Sequence, residues 1–170
     1  MSLLVIGDGA VAPSLKGLSN ELDLTASAEG EESKVFFAGW MPQSECALKL
    51  KDQHCLVLPS LMECGGAVVL EAMALGLPVI ATAWGGPTDY LDPSCGVLVE
   101  PQSRDALING LADAMVRLAE SPALRAAMGQ AGRDKVVREF DWEAKVDRMV
   151  EVYRSVMPGQ GGATAGVLRS

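Results

Sequence analysis

The 170-residue sequence is short of basic groups. Lys and Arg together number 14 against 22 Asp and Glu, and the formal net charge is -8. A nucleic-acid surface needs clustered Lys and Arg, and so does a polybasic membrane anchor, so the balance argues against both. Histidine occurs once, at His54, and the cysteines Cys46, Cys55, Cys64 and Cys95 form no C-x-x-C pair. That is too little for a zinc site or a disulfide framework, and it reads as reduced thiols in a cytoplasmic protein. The opening "MSLLVIG" lacks a basic n-region and is too short for a signal peptide. The longest apolar stretch, 67–80, is interrupted by Glu71, Gly76 and Pro78, so it does not read as a membrane span.

What the chain does have is a globular composition, with 49% hydrophobic residues, and enough length for one domain with a proper core. We assign that domain to residues 1–157. The end, "PGQGGATAGVLRS" (158–170), is rich in Gly and small residues and reads as a disordered tail.

Apolar, β-rich runs alternate with helical patterns. Strands are expected at 3–6, 35–38, 55–58, 79–82 and 97–99, and helices at 12–22, 43–51 and 67–75, the last stopped by Gly76 and Pro78. The remainder is helical. Residues 105–120 carry Leu107, Leu111, Ala114, Met115 and Leu118 at a helical period. Ser121 can cap a following helix with Pro122 at its first position, and Asp141 can cap a last helix over 142–156. Strands that do not alternate polar and apolar residues, separated by helices, point to a parallel sheet covered on both faces. The fold class is α/β, doubly wound and Rossmann-like, with additional C-terminal helices.

In such a sheet, ligands bind beyond the carboxyl ends of the strands. The four loops there are "GDGA" (7–10), "GWMPQ" (39–43), "PSLMECGG" (59–66) and "AWGGP" (83–87). Glycine lets backbone approach a ligand closely, although each loop alone is also what a plain turn looks like. The third loop says most. Gly65 and Gly66 lead straight into the helix at Ala67, whose unpaired N–H groups and partial positive charge suit an anion such as phosphate. A turn required only by strand-to-helix packing would look the same. Glu71 lies one turn inside this helix among apolar neighbours, where burial is costly unless a partner such as a ligand hydroxyl is supplied. It would equally fit an exposed stripe. Glu63 stands ahead of the glycines as a ligand acceptor or as a solvated loop acid. The four loops hold no Lys or Arg, while Asp8, Glu63 and Asp89 make this edge acidic. Either the ligand is not a phosphate or its cations come from elsewhere; the chain opens directly on a strand, so an earlier strand and its loop could supply them.

Residues 59–82, "PSLMECGGAVVLEAMALGLPVIAT", resemble the donor-site signature of the group 1 (family 4) retaining glycosyltransferases, in which two glutamates are separated by seven residues; Glu63 and Glu71 fit. "VIGDGA", "VFFAGWMPQSE", "AWGGPTDYLDPSCGVLVEP" and "MGQAGRDKVVREFDWEAKVDRMVEVY" resemble the family's flanking elements, and the likeness runs over about residues 3–157.

The resemblance implies the C-terminal, donor-binding half of a GT-B architecture of two facing Rossmann-like domains. It implies transfer of a sugar from a nucleoside diphosphate sugar, with retention. Glu71 would take the ribose hydroxyls. Glu63, the candidate catalytic residue, would contact the donor sugar. Backbone N–H groups around Gly65, Gly66, Ala67 and Val68 would hold the diphosphate. Trp40 and Met41 would border the base, Gly7 would line the first turn, and Gly85 and Gly86 would shape the cleft wall. The family's catalytic Arg and Lys, and its acceptor-binding N-terminal domain, would lie outside this chain, and any peripheral membrane association would run through that domain. No D-x-D occurs, so no metal and no cofactor are expected. The chain departs from the family at Cys64 and Gly65, where Gly-Phe is usual, which bears on the choice of sugar. Two other readings stand beside this one: half of a nucleotide-sugar 2-epimerase, which would want ionisable groups in the cleft, and a non-catalytic nucleotide- or sugar-binding module.

Overall fold

Five strands alternate with the first five of seven helices along residues 1–157, the part of the chain that this computed structural model describes. The stretch expected to form a disordered tail, 158–170, lies outside the described residues. In chain order the elements are β1 (Leu3–Ile6), α1 (Ala12–Glu21), β2 (Val35–Gly39), α2 (Gln43–Lys51), β3 (Leu56–Leu58), α3 (Ala67–Ala74), β4 (Val79–Thr82), α4 (Pro87–Tyr90), β5 (Gly96–Val99), α5 (Arg104–Glu120), α6 (Pro122–Glu139) and α7 (Trp142–Val156). Ends differ from the sequence reading by a residue or two, as fraying termini do.

All strand pairs are parallel, as continuous apolar strands demand. They form two ladders, β1 with β2 and β3-β4-β5, rather than one continuous sheet. No strand pairing joins the two ladders among the described residues. A cavity of about 410 Å³ opens between the ladders, lined by Leu3 of β1, by Cys55 and Val57 at β3 and by Ile80 of β4.

The core is centred on β4, whose residues are all buried. Successive side chains of a strand point to opposite faces. Val79 and Ala81 accordingly belong to one apolar cluster, with Val69, Ala72 and Met73 of α3, and Ile80 to another, with Leu107, Ala114 and Leu118 of α5. Helices therefore cover both faces. Fully burying a side chain such as Val69 or Met73 contributes about 1.5–3 kcal/mol.

Helix ends follow local chemistry. Ser103 accepts from the Ala106 N–H, Ser121 from Leu124 and Asp141 from Glu143. α3 stops because Gly76 takes a left-handed φ of 76°. The Leu77 N–H then reaches the Ala72 carbonyl and the Gly76 N–H that of Met73, satisfying two terminal acceptors. α6 crosses this stop closely. Asp92, between α4 and β5, binds Lys135 of α6 at 2.7 Å. Tyr90 meets Phe140 edge to face at 5.2 Å between ring centres.

Candidate functional site

Because each ladder is parallel, the loops after β1 and β2 leave one end of the first ladder and those after β3 and β4 one end of the second, and the Gln43–Glu71 hydrogen bond joins the two sets. Gly7 and Gly39 are linked there, the Gly7 N–H donating to the Gly39 carbonyl at 2.8 Å. Trp40 follows, 74% exposed, with Met41 half-buried beside it. Gly66 ends the β3–α3 loop in a left-handed conformation, φ 63°, which turns the chain into α3. The N–H groups of Ala67 and Val68 open the helix and have no acceptor within it.

Both glutamates stand at this helix start, and both are half-buried. The Glu63 carboxylate reaches forward to accept the Gly66 N–H at 2.8 Å. Glu71 lies one turn into α3, and its carboxylate accepts from the side-chain amide of Gln43 at 2.6 Å. The partner of this half-buried acid is thus the first residue of α2. Sequence reasoning did not single out Gln43. A polar residue at a helix start ordinarily reads as part of the cap, and twenty-eight positions separate it from Glu71.

Gly85 and Gly86 sit against the Glu63–Gly65 loop. A Cβ on Gly86 would fall 2.2 Å from the Gly65 carbonyl oxygen, and one on Gly85 1.8 Å from that of Glu63. The Gly86 N–H donates to the Cys64 carbonyl at 3.2 Å. These two glycines let one loop press on the other, which fixes the loop that carries Glu63. Gly65 is different: a Cβ there would meet nothing within 4 Å. The Cys64 side chain is exposed.

The four cysteines are free thiols. At the opposite end of β3, burial pushes the Cys55 thiol up to about 11, and His54 borders the cavity between the ladders. No group of three or more His, Cys, Asp or Glu side chains suited to a metal occurs among the described residues. No helix there is long and apolar enough to cross a membrane.

Comparison with known proteins identifies the family of the chain. The family described as glycosyl transferases group 1 matches residues 1–135. The chain is 35% identical over 168 residues to a D-inositol 3-phosphate glycosyltransferase of Segniliparus rotundus, covering 96% of this chain and 34% of that protein. It is 29% identical over 160 residues to a GDP-mannose-dependent monoacylated alpha-(1-6)-phosphatidylinositol monomannoside mannosyltransferase of Corynebacterium glutamicum, covering 90% of this chain and 39% of that protein. A sucrose-phosphate synthase from Thermosynechococcus elongatus superposes with a TM-score of 0.70 at 34% identity, over 91% of this chain and 38% of that one. The chain therefore spans between a third and two fifths of the length of these relatives. With its parallel α/β core and the pair Glu63 and Glu71 at the start of α3, the chain belongs to the group 1 glycosyltransferases.

Proposed function

We propose that the chain is the donor-binding half of a retaining glycosyltransferase that takes its sugar from a nucleoside diphosphate sugar. The observation that carries the reading is the placement of Glu63 and Glu71 on either side of the α3 N-terminus, at the carboxyl edge of the strands. An anion at the helix start would meet the free N–H groups of Ala67 and Val68. Hydroxyl-bearing groups on either side of it would meet the two carboxylates. The dependence of the Corynebacterium relative on GDP-mannose supports a nucleotide sugar as ligand.

The diphosphate also needs cations, and the four loops of this edge hold no Lys or Arg. In this reading they come from a part of the enzyme outside residues 1–170, together with the acceptor-binding domain. Three surfaces support that. The cavity between the two unpaired ladders is open along Leu3 of β1 and Val57 of β3. α1 and its two cap residues expose Val11, Leu15, Leu18 and Leu22 along one stripe, and α7 exposes Val146, Met149, Val150 and Tyr153. Apolar stripes of this kind are normally covered. The site would work without a metal, in the cytoplasm.

The test is titration of the chain with UDP, GDP and ADP, wild type against Glu71→Ala. Loss of a hydrogen bond to a charged group costs about 1–3 kcal/mol, so the variant should bind about 5- to 150-fold more weakly. Equal binding by both proteins would remove Glu71 from the site. The chain alone should transfer no sugar, and measurable transfer would overturn the half-enzyme reading.

A further inference from the structure

We infer that Gln43 is a positioning residue of the donor site and reads the ribose together with Glu71. The inference rests on the donor-site reading above and names the residue that sets its nucleoside end. An ionised carboxylate only accepts hydrogen bonds, so the group that Gln43 turns toward Glu71 Oε1 at 2.6 Å must be its NH2. This fixes the orientation of the carboxamide. Its carbonyl oxygen and second N–H, and Glu71 Oε2, are left as acceptor, donor and acceptor for a further partner.

A vicinal diol matches that row. Each hydroxyl donates once and accepts as well. One can donate to Glu71 Oε2 while its neighbour donates to the Gln43 carbonyl or accepts its second N–H. Glu71 alone, on a half-buried helix face, would be free to turn among rotamers. The Gln43 contact holds it in one of them before ligand arrives, which lowers the ordering cost of binding. The contact also joins the start of α2 to α3, so the loop Gly39–Pro42, which carries Trp40 and Met41, is set relative to the ribose-reading carboxylate.

The experiment compares GDP, UDP and their 2′,3′-dideoxy counterparts on wild type, Gln43→Ala and Gln43→Glu, with thermal midpoints measured alongside. Wild type should prefer the ribonucleotide. Gln43→Ala should weaken ribonucleotide binding by about tenfold, with the dideoxy ligand much less affected, so the ratio between the two shrinks. Gln43→Glu places a second carboxylate against Glu71 and should bind more weakly than Gln43→Ala. The midpoint of Gln43→Ala should move by no more than about 2 °C, because an exposed pair contributes little to stability. A Gln43→Ala protein that keeps both affinity and ribose preference overturns the inference and leaves the donor site standing. A wild type that binds none of these nucleotides overturns the donor-site reading itself. A drop in midpoint with an unchanged ribo-to-dideoxy ratio assigns Gln43 to structure alone and also overturns it.

Discussion

The Glu63 carboxylate accepts the backbone N–H of Gly66 at 2.8 Å, so a side chain of the protein engages a donor at the entrance of α3. A diphosphate bound there would compete for the same donor, and Glu63 would be free to turn to the sugar. Glu63→Ala should therefore separate the two parts of the ligand. Losing this part-buried hydrogen bond costs about 1 kcal/mol of stability. Affinity for a nucleoside diphosphate should hold or rise within about threefold, since the N–H is released. The additional affinity conferred by the attached sugar should disappear. Calorimetric titration with GDP and a GDP-sugar checks this, and a parallel loss for both ligands would place Glu63 on the nucleotide instead.

The glycines of the site divide into two kinds, and substitution should reveal it. Gly86→Ala drives a methyl to 2.2 Å from a backbone oxygen in a buried position. The overpacking should cost about 2–3 kcal/mol, or roughly 4–12 °C in thermal midpoint. Gly65→Ala meets open space and should change stability by less than about 0.5 kcal/mol. Its methyl would nevertheless stand beside the proposed phosphate position, so nucleotide affinity should fall while the midpoint stays. An unchanged affinity would move the phosphate away from Gly65.

Much of this architecture was legible because it is local. Gln43–Lys51 and Val79–Thr82 appear where their patterns put them, Ser121 and Asp141 act as the caps their chemistry suggests, and Pro122 takes the first position of α6. The short α4 was missed because four residues after a glycine pair carry no period to detect. Other features depend on distant partners. The break between the two ladders is a property of strand pairing that no single run of residues encodes. The close-approach role of Gly85 and Gly86 needs the Glu63–Gly65 loop in place, and the Gln43 contact needs α2 laid beside α3.

The crossing of α6 over the end of α3 sets two nearby glycines against each other. An Ala in a helix interior is favoured over Gly by about 1 kcal/mol in propensity. At Gly132 the added methyl would meet Met73 and Cys95 side chains at an ordinary 3.5 Å. Gly132→Ala should therefore be neutral or stabilising by up to about 1 kcal/mol. At Gly129 it would lie 1.9 Å from the Gly76 carbonyl oxygen, backbone that is locked in the α3 stop. There the clash outweighs propensity, and Gly129→Ala should destabilise by about 2–3 kcal/mol. Denaturant midpoints of the two variants should move in opposite directions or differ sharply. Equal shifts would mean that α6 slides to relieve the contact.

The same helix is tied down by Asp92 and Lys135, which gives stability a defined pH dependence. The hydrogen bond from Lys135 and two from Ser94 hold the Asp92 carboxyl down at about 2. A folded-state value below the unfolded one, about 3.9, stabilises the fold above that value and is lost as pH falls toward 2. Burial lowers the Lys135 value, but its hydrogen bond to Asp92 and the attraction of that carboxylate more than offset this and hold the ammonium above its ordinary range. Its contribution therefore disappears only in strong alkali. Asp92 is partly open to solvent, which screens the pair, so its contribution between about pH 5 and 9 should be only about 0.5–1 kcal/mol. Asp92→Asn should lower the thermal midpoint at pH 7 by about 1–4 °C, and the difference from wild type should shrink steadily between about pH 4 and pH 2.5 as wild-type Asp92 gains its proton. A difference that stays constant across that range would show that Asp92 acts through its turn bonds to Ser94 rather than through the charge of Lys135.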